Sequence, residues 1–213
     1  MRDIMEKRQG SLTVVSGFSG AGKGTIMKKL LKKYDNYALS VSMTTRSPRP
    51  GEEHGREYFF VSREEFDRTI RENGFLEHAE YAGKCYGTPR KYVEEQIAEG
   101  KDVILEIEVQ GGKQIREVYP DAILIFVTTP NAEILRQRLT GRGSEDAKAV
   151  ERRLREAVRE AGIIRDYDYL LVNDDLDEAV ERIHEMIRTA KTRPSAMKAF
   201  TEQFEQELRQ MTR

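Results

Sequence analysis

An apolar run, Ser11-Leu12-Thr13-Val14-Val15-Ser16, breaks into Gly17-Phe18-Ser19-Gly20-Ala21-Gly22-Lys23-Gly24-Thr25 and then into a helical pattern. From Thr25 to Tyr34 there is no Pro or Gly, and Ile26, Leu30 and Leu31 recur at helical spacing. A buried strand that turns through glycines into a helix aims several backbone N–H groups at one point, and the helix N-terminus adds partial positive charge there. Glycine lets the backbone approach an anion without a Cβ in the way. Lys23 adds a mobile cation suited to the outer phosphates of a nucleoside triphosphate. The bland alternative is an ordinary strand–helix turn, and the lysine in this context argues against it. The usual motif ends Gly-Lys-Ser/Thr, whereas here Gly24 follows the lysine and the hydroxyl comes one place later, at Thr25.

A chain of 213 residues suffices for one α/β core with inserted subdomains. Charged residues make up 34% of it, yet the net charge is −1, so bulk attraction to nucleic acid or an anionic membrane is not indicated. Residues 1–10 carry charges and no apolar stretch, and no run approaches the roughly 20 apolar residues needed to span a bilayer. The single cysteine, Cys85, rules out an intrachain disulfide and a cysteine-based metal cluster. A cytoplasmic protein is expected, either monomeric or homo-oligomeric.

Continuous apolar runs at Leu12–Val15, Val103–Ile107, Ile123–Val127 and Tyr169–Val172 read as buried parallel strands, with Ala38–Val41 a fifth. Helical patterns separate them, which predicts a three-layer α/β sandwich. Asp175 is placed to cap a helix over Leu176–Ala190. Two stretches break the alternation. Residues 42–91 are rich in turn and polar residues, with strand-like Tyr58–Val61 and Phe75–Tyr81 and a capping box at Ser62 and Glu65, which predicts a small inserted α+β subdomain. Residues 136–160 form a helical, arginine-dense excursion that reads either as a solvated face or as an arginine-bearing lid. Beyond Pro194, the residues Met197, Phe200, Phe204, Leu208 and Met211 form one apolar stripe. The expectation is a helix docked on its own core, with an oligomer contact as the alternative.

The insert holds candidates for a second substrate. Arg46 and Arg49 lie on a proline-stiffened loop, and with Tyr58 and Tyr86 they could form a phosphate or carboxylate clamp. Glu77 stands in an otherwise apolar strand start. A carboxylate there matches the paired N1–H and N2–H donors of guanine, which adenine lacks on that edge. Ser42, Thr88 and Glu108 could complete a base pocket.

Four blocks then fall together: Ser16–Thr25; Ser40-Val41-Ser42-Met43-Thr44-Thr45-Arg46-Ser47-Pro48-Arg49-Pro50-Gly51-Glu52; Gly74-Phe75-Leu76-Glu77 through Tyr86-Gly87-Thr88; and Leu105-Glu106-Ile107-Glu108-Val109-Gln110-Gly111. With Arg138, Arg142-Gly143, Arg153 and Val172-Asn173-Asp174-Asp175, they resemble guanylate kinases over about residues 11–190. The resemblance implies a P-loop kinase with a five-stranded parallel sheet that phosphorylates GMP from ATP. It divides the chain into a tail (1–10), a core (11–41, 92–135 and 161–190), a GMP-binding insert (42–91), a lid (136–160) and a C-terminal extension (191–213). It further implies that Ser19, Gly20, Ala21, Gly22, Lys23, Gly24 and Thr25 hold the ATP phosphates, with Asn173 near the adenine. Arg46, Arg49, Tyr58 and Tyr86 would hold the GMP phosphate, and Ser42, Glu77, Thr88 and Glu108 the guanine. Arg138, Arg142 and Arg153 would close over the transferring group, and Mg²⁺ would be held largely through waters near Thr25 and Glu106. Glu108 stands where such kinases typically carry Asp. Two further readings are a non-catalytic guanylate-kinase-like binding module and a kinase of a phosphorylated ribose. A GTPase is disfavoured, since no Asn-Lys-x-Asp sequence occurs.

Overall fold

The structure is a computed structural model and describes residues 10–81, 83–141 and 147–212. Its strands are β1 (Leu12–Gly17), β2 (Tyr37–Leu39), β3 (Ser42–Thr44), β4 (Tyr58–Phe60), β5 (Phe75–Tyr81), β6 (Lys84–Pro89), β7 (Asp102–Glu106), β8 (Ile123–Thr128) and β9 (Tyr169–Val172). Its helices are α1 (Lys23–Lys33), α2 (Arg63–Arg71), α3 (Arg90–Ala98), α4 (Val109–Val118), α5 (Ala132–Thr140), α6 (Ala147–Ala161), α7 (Leu176–Ala190) and α8 (Lys198–Met211).

The core sheet is parallel throughout, in the order β2–β7–β1–β8–β9, with Val14 of the central strand in register with Leu105 and Leu124. Strands buried on both faces need apolar residues at successive positions, which is why β1, β7 and β8 read as continuous runs; β9 was expected to be buried too, but as the edge strand it leaves Leu170 and Val172 exposed. Val15, Ile104 and Ile125 pack beneath Ile26 and Leu30 of α1 and Val180 and Ile183 of α7. Val14, Leu105 and Leu124 face the other way, against Val93 of α3 and Ile115 of α4. Each fully buried Leu, Ile or Val in these layers contributes about 1.5–3 kcal/mol. Asp175 caps α7 as expected, accepting from the Glu178 N–H at 2.9 Å.

Residues 42–89 form a second, four-stranded sheet in the order β4–β3–β6–β5, with its own small core of Phe66, Phe75 and Cys85. Ser62 caps α2 by accepting from the Glu65 N–H at 3.1 Å. β3 and β6 were not among the expected strands. The fifth core strand is β2, Tyr37–Leu39, rather than Ala38–Val41, because the chain leaves the first sheet at Ser40 and joins the second at Ser42. The arginine-dense excursion is two helices, α5 and α6.

One carboxylate ties the core together. Asp102 Oδ1 accepts from Ser11 N at 3.0 Å, Ser11 Oγ at 2.7 Å and Lys191 Nζ at 2.6 Å, while Oδ2 accepts from Asn36 Nδ2 at 2.9 Å. Past Lys191, the expectation of a docked C-terminal helix fails. No residue of α8 is buried, and Phe200, Phe204, Leu208 and Met211 are 40%, 52%, 48% and 82% exposed. The physical reason is that α1 and α7 cover one sheet face and α3 and α4 the other, so neither core layer has room for it.

Candidate active site

The glycine-rich turn leaves the C-terminal end of the central strand, the position where open α/β sheets present ligands. Gly17, Gly20 and Gly22 have φ of 146°, 88° and 91°, backbone conformations that L side chains rarely adopt. Gly22 is also closed to substitution by space, because a Cβ there would run into Asn173 Nδ2. That amide is buried and donates to the Ala21 carbonyl at 2.7 Å, so Asn173 braces the loop from beneath. Lys23 opens α1 and folds back to donate to the Gly17 carbonyl at 2.5 Å and the Phe18 carbonyl at 3.3 Å. Thr25 is exposed on the first turn of α1, and both Glu106 carboxylate oxygens lie within 3.7–3.8 Å of where a Gly24 Cβ would sit. Desolvation raises the Glu106 pKa, and Lys23 opposes that shift.

The second sheet supplies two groupings. In the first, the Arg46 guanidinium pairs with both Glu52 oxygens at 2.9 and 3.0 Å and lies over the Tyr58 ring, 5.3 Å from its centroid. Tyr58 and Tyr86 meet edge to face at 6.0 Å. The Glu52 hydrogen bonds raise the Arg46 pKa, so this cation is held firmly charged, and burial raises that of the Tyr58 phenol. Arg49 sits on the exposed turn, its backbone N–H held by Glu52 at 2.7 Å. The second grouping is buried. Glu77 and Thr88 are 6% and 0% exposed, and the Thr88 hydroxyl donates to Glu77 Oε1 at 2.6 Å. Burial raises the Glu77 pKa, while the bond from Thr88 opposes the shift. Glu77 Oε2 lies against Gly111, where an added Cβ would come within 2.8 Å of it. Glu108 is the exposed N-cap residue of that same helix α4, and Ser42 begins β3 opposite Tyr58.

α5 and α6 lie over the phosphate loop. Arg153 of α6 donates to Ser19 Oγ at 3.2 Å, and Arg138 stands half-buried in the last turn of α5. Arg142 lies outside the described residues.

Residues 9–190 match the profile described as guanylate kinase. The chain belongs to the guanylate kinase family. It is 52% identical over 181 residues to the guanylate kinase of Rubrobacter xylanophilus, an alignment covering 85% of this chain and 95% of that one. It is 50% identical over 179 residues to that of Synechocystis, covering 84% and 94%. The crystal structure of guanylate kinase from Anaplasma phagocytophilum superimposes with a TM-score of 0.70 at 35% identity, covering 88% of this chain and 89% of that one.

Within this guanylate kinase fold the expected residues fall into three groups rather than one. The loop residues Ser19–Thr25 gather with Asn173, Glu106 and Arg153. Arg46, Tyr58 and Tyr86 form a second group, and Glu77, Thr88 and Gly111 a third. Arg49 and Glu108 stand exposed at the margins. Glu160 was missed from sequence. It is only 6% exposed on α6, and no hydrogen bond or ion pair reaches its carboxylate among the described residues. Burial first, then repulsion from Glu108, raises its pKa to about 7, against the attraction of Lys23. A periodicity signal was available, since Glu160 follows Val150 and Ala157 on the buried stripe of α6.

Proposed function

We propose that this chain transfers the γ-phosphoryl group of ATP to the phosphate of GMP, giving ADP and GDP. One observation carries the choice of guanine. A buried carboxylate, Glu77, is braced through one oxygen by Thr88 and has its other oxygen kept clear by Gly111. Such a carboxylate can accept from both guanine donors, and adenine offers no matching pair. The relatives named guanylate kinase, about half identical over nearly the whole family segment, support the same reading.

The acceptor oxygen is already an anion at neutral pH, so the chemistry asks for positioning and charge neutralisation rather than a general base. In this reading the loop backbone and Lys23 hold the ATP phosphates, and Lys23 exchanges its two carbonyl partners for phosphate oxygens. Arg46, with Tyr58 and Tyr86, receives the GMP phosphate, and the ammonium-free clamp keeps a bidentate fork for it when Glu52 yields. Arg49 joins from the loop as the insert closes. Arg138, Arg142 and Arg153 approach the transferring group from the lid, and Arg153 is already within reach of Ser19. Ser42 and Glu108 complete the base site, and Asn173 acts as the floor of the ATP loop.

The donor chemistry suits Mg²⁺. Thr25 and Glu106 offer hard oxygen ligands beside the loop, and among the described residues no cluster of three or more acidic, His or Cys side chains forms a full cage. Mg²⁺ held mainly by phosphates and waters would neutralise charge on the β- and γ-phosphates. Among the described residues no helix is long and apolar enough to cross a membrane.

The test is ADP formation, measured by a coupled assay, with GMP, AMP, UMP and CMP as acceptors. GMP should be used best by a wide margin. In Glu77→Gln an amide donor faces a guanine N–H, so kcat/KM for GMP should fall at least about tenfold while ATP affinity holds. Full GMP activity in that variant, or equal use of all four acceptors, would remove the guanine assignment.

A further inference from the structure

Glu160 stands where the second lid helix meets the core. It is the penultimate residue of α6, whose Val150 and Ala157 pack into the main core, and it is only 6% exposed. Among the described residues no hydrogen bond or ion pair reaches its carboxylate. Arg155 and Arg159 of the same helix turn instead to Glu151 and Glu156, at 2.5 and 3.1 Å. The charged and titratable groups around it are Glu108 from the start of α4, Lys23 from the start of α1, Glu156 from its own helix and the Tyr167 phenol from the segment after α6. Glu108 and Glu156 disfavour a negative charge at this point, and Lys23 is the cation that favours one. Lys23 gives its own hydrogen bonds to the Gly17 and Phe18 carbonyls, so no carboxylate takes up its charge directly. A buried carboxyl without a partner neutralises unless a nearby cation compensates it.

We propose that Glu160 is a positioning residue that acts through Lys23, and that ATP is bound with uptake of a proton from solvent onto the Glu160 carboxylate. In the reading above, on which this rests, the Lys23 ammonium leaves its two carbonyls for phosphate oxygens. The compensating charge then belongs to the phosphates, and several negative charges have entered the same region. An ionised Glu160 would face Glu108, Glu156 and the triphosphate with no cation of its own. It would also draw the ammonium back and repel the phosphates. The neutral carboxyl does neither, so the bound state selects it. In the free chain, burial first and then Glu108 raise the Glu160 pKa to about 7, with Lys23 pulling it down. Near neutral pH a sizeable share of free chains therefore carries the anion and has a proton to gain. The proton enters from solvent and returns to it when the nucleotide leaves, and it takes no part in phosphoryl transfer.

Calorimetric titration of the full chain with ATP and Mg²⁺, GMP being left out so that nothing turns over, counts the protons when repeated in two buffers of different ionisation heat. At about pH 8 the wild type should take up at least about half a proton more than Glu160→Gln, and the difference should vanish by about pH 5.5. Over that range the wild-type Kd for ATP should rise at least about threefold relative to that of Glu160→Gln. Glu160→Met is also neutral and should follow the glutamine variant, because charge and not hydrogen bonding is what counts. A glutamate with a purely structural role would change stability and leave the proton count and the pH profile of Kd as they are in wild type. Equal proton uptake at about pH 8 by wild type and both neutral variants, with ATP bound in each, would overturn the proposal and leave the ATP reading standing. A wild type that binds no ATP would overturn that reading, and the proposal with it.

Discussion

Gly111 shows how much of this site rests on an absent side chain. It sits in the first turn of α4, and an added methyl would meet the end of the Glu77 side chain and Ile107 Cδ1 rather than backbone. Both neighbours are flexible ends, so Gly111→Ala should fold with little loss of stability. The Glu77 carboxylate, held by Thr88 on one oxygen, would have to rotate to make room. The expected outcome is a fall of at least about tenfold in kcat/KM for GMP, since about 1.4 kcal/mol of misplaced hydrogen bonding is a factor of ten, with the KM for ATP nearly unchanged. Equal loss toward both substrates in steady-state kinetics would detach Gly111 from the base site. Of the residues that meet here, Glu77 stood out in the sequence because a carboxylate interrupts an apolar strand start, and Thr88 only as a residue that could complete its pocket. The role of Gly111 was invisible, since a glycine in a helix says nothing of what leans against it.

Among the elements, legibility followed length and periodicity. β1, β7 and β8 announced themselves because burial on both faces demands unbroken apolar runs, and β9 by its apolar run alone, since at the sheet edge its Leu170 and Val172 stay exposed. β3 is three residues long, Ser-Met-Thr, and β6 reads Lys-Cys-Tyr-Gly-Thr-Pro, so neither carries a strand signature of its own. Cross-strand pairing in the second sheet makes them strands. In α6 the arginines drew attention and Glu160 did not, because in a helix dense with charge a glutamate looks solvated. Its burial has a consequence for pH. The folded-state pKa is raised to about 7 from an ordinary 4.5, with Glu108 and Glu156 adding to the desolvation and Lys23 opposing it. The neutral carboxyl is therefore the form the fold prefers. Its contribution is whole below about pH 4.5 and is lost as pH rises through about 7. Glu160→Gln is neutral at every pH. Its stability relative to wild type should rise between those limits by about 1–3 kcal/mol, read as a growing difference in denaturant midpoints. A difference that stays constant from pH 4.5 to 8 would show that Glu160 ionises as freely folded as unfolded.

At the scale of the molecule, the division is between a core that carries the candidate site and an appendage that carries none of its residues. The core is closed on both faces, and α8 adds no buried residue to it. Ending the chain after Met197 should therefore leave the thermal unfolding midpoint within about 2 °C and turnover intact, because removing the exposed α8 alone costs within about 0.5 kcal/mol. A drop of 10 °C in calorimetry would mean that α8 supports the core after all. The parallel sheet and the insert were both foreseeable from sequence. The fate of α8 was not, because an apolar stripe specifies that something covers it and not what.

The Asp102 carboxylate, receiving Ser11 at the start of the first strand and Lys191 at the end of the last core helix, makes near neighbours of two points 180 residues apart in sequence. The order in which the core's parts are strung is thus separable from their arrangement. Joining residue 191 to residue 11 through a short glycine–serine bridge, and opening new ends at the exposed Pro120–Asp121 turn, should give a rearranged chain that folds to the same architecture. Its ATP- and GMP-dependent turnover should stay within about tenfold of the parent. Failure of the rearranged chain to fold would make this junction a necessity of assembly rather than an accident of connectivity.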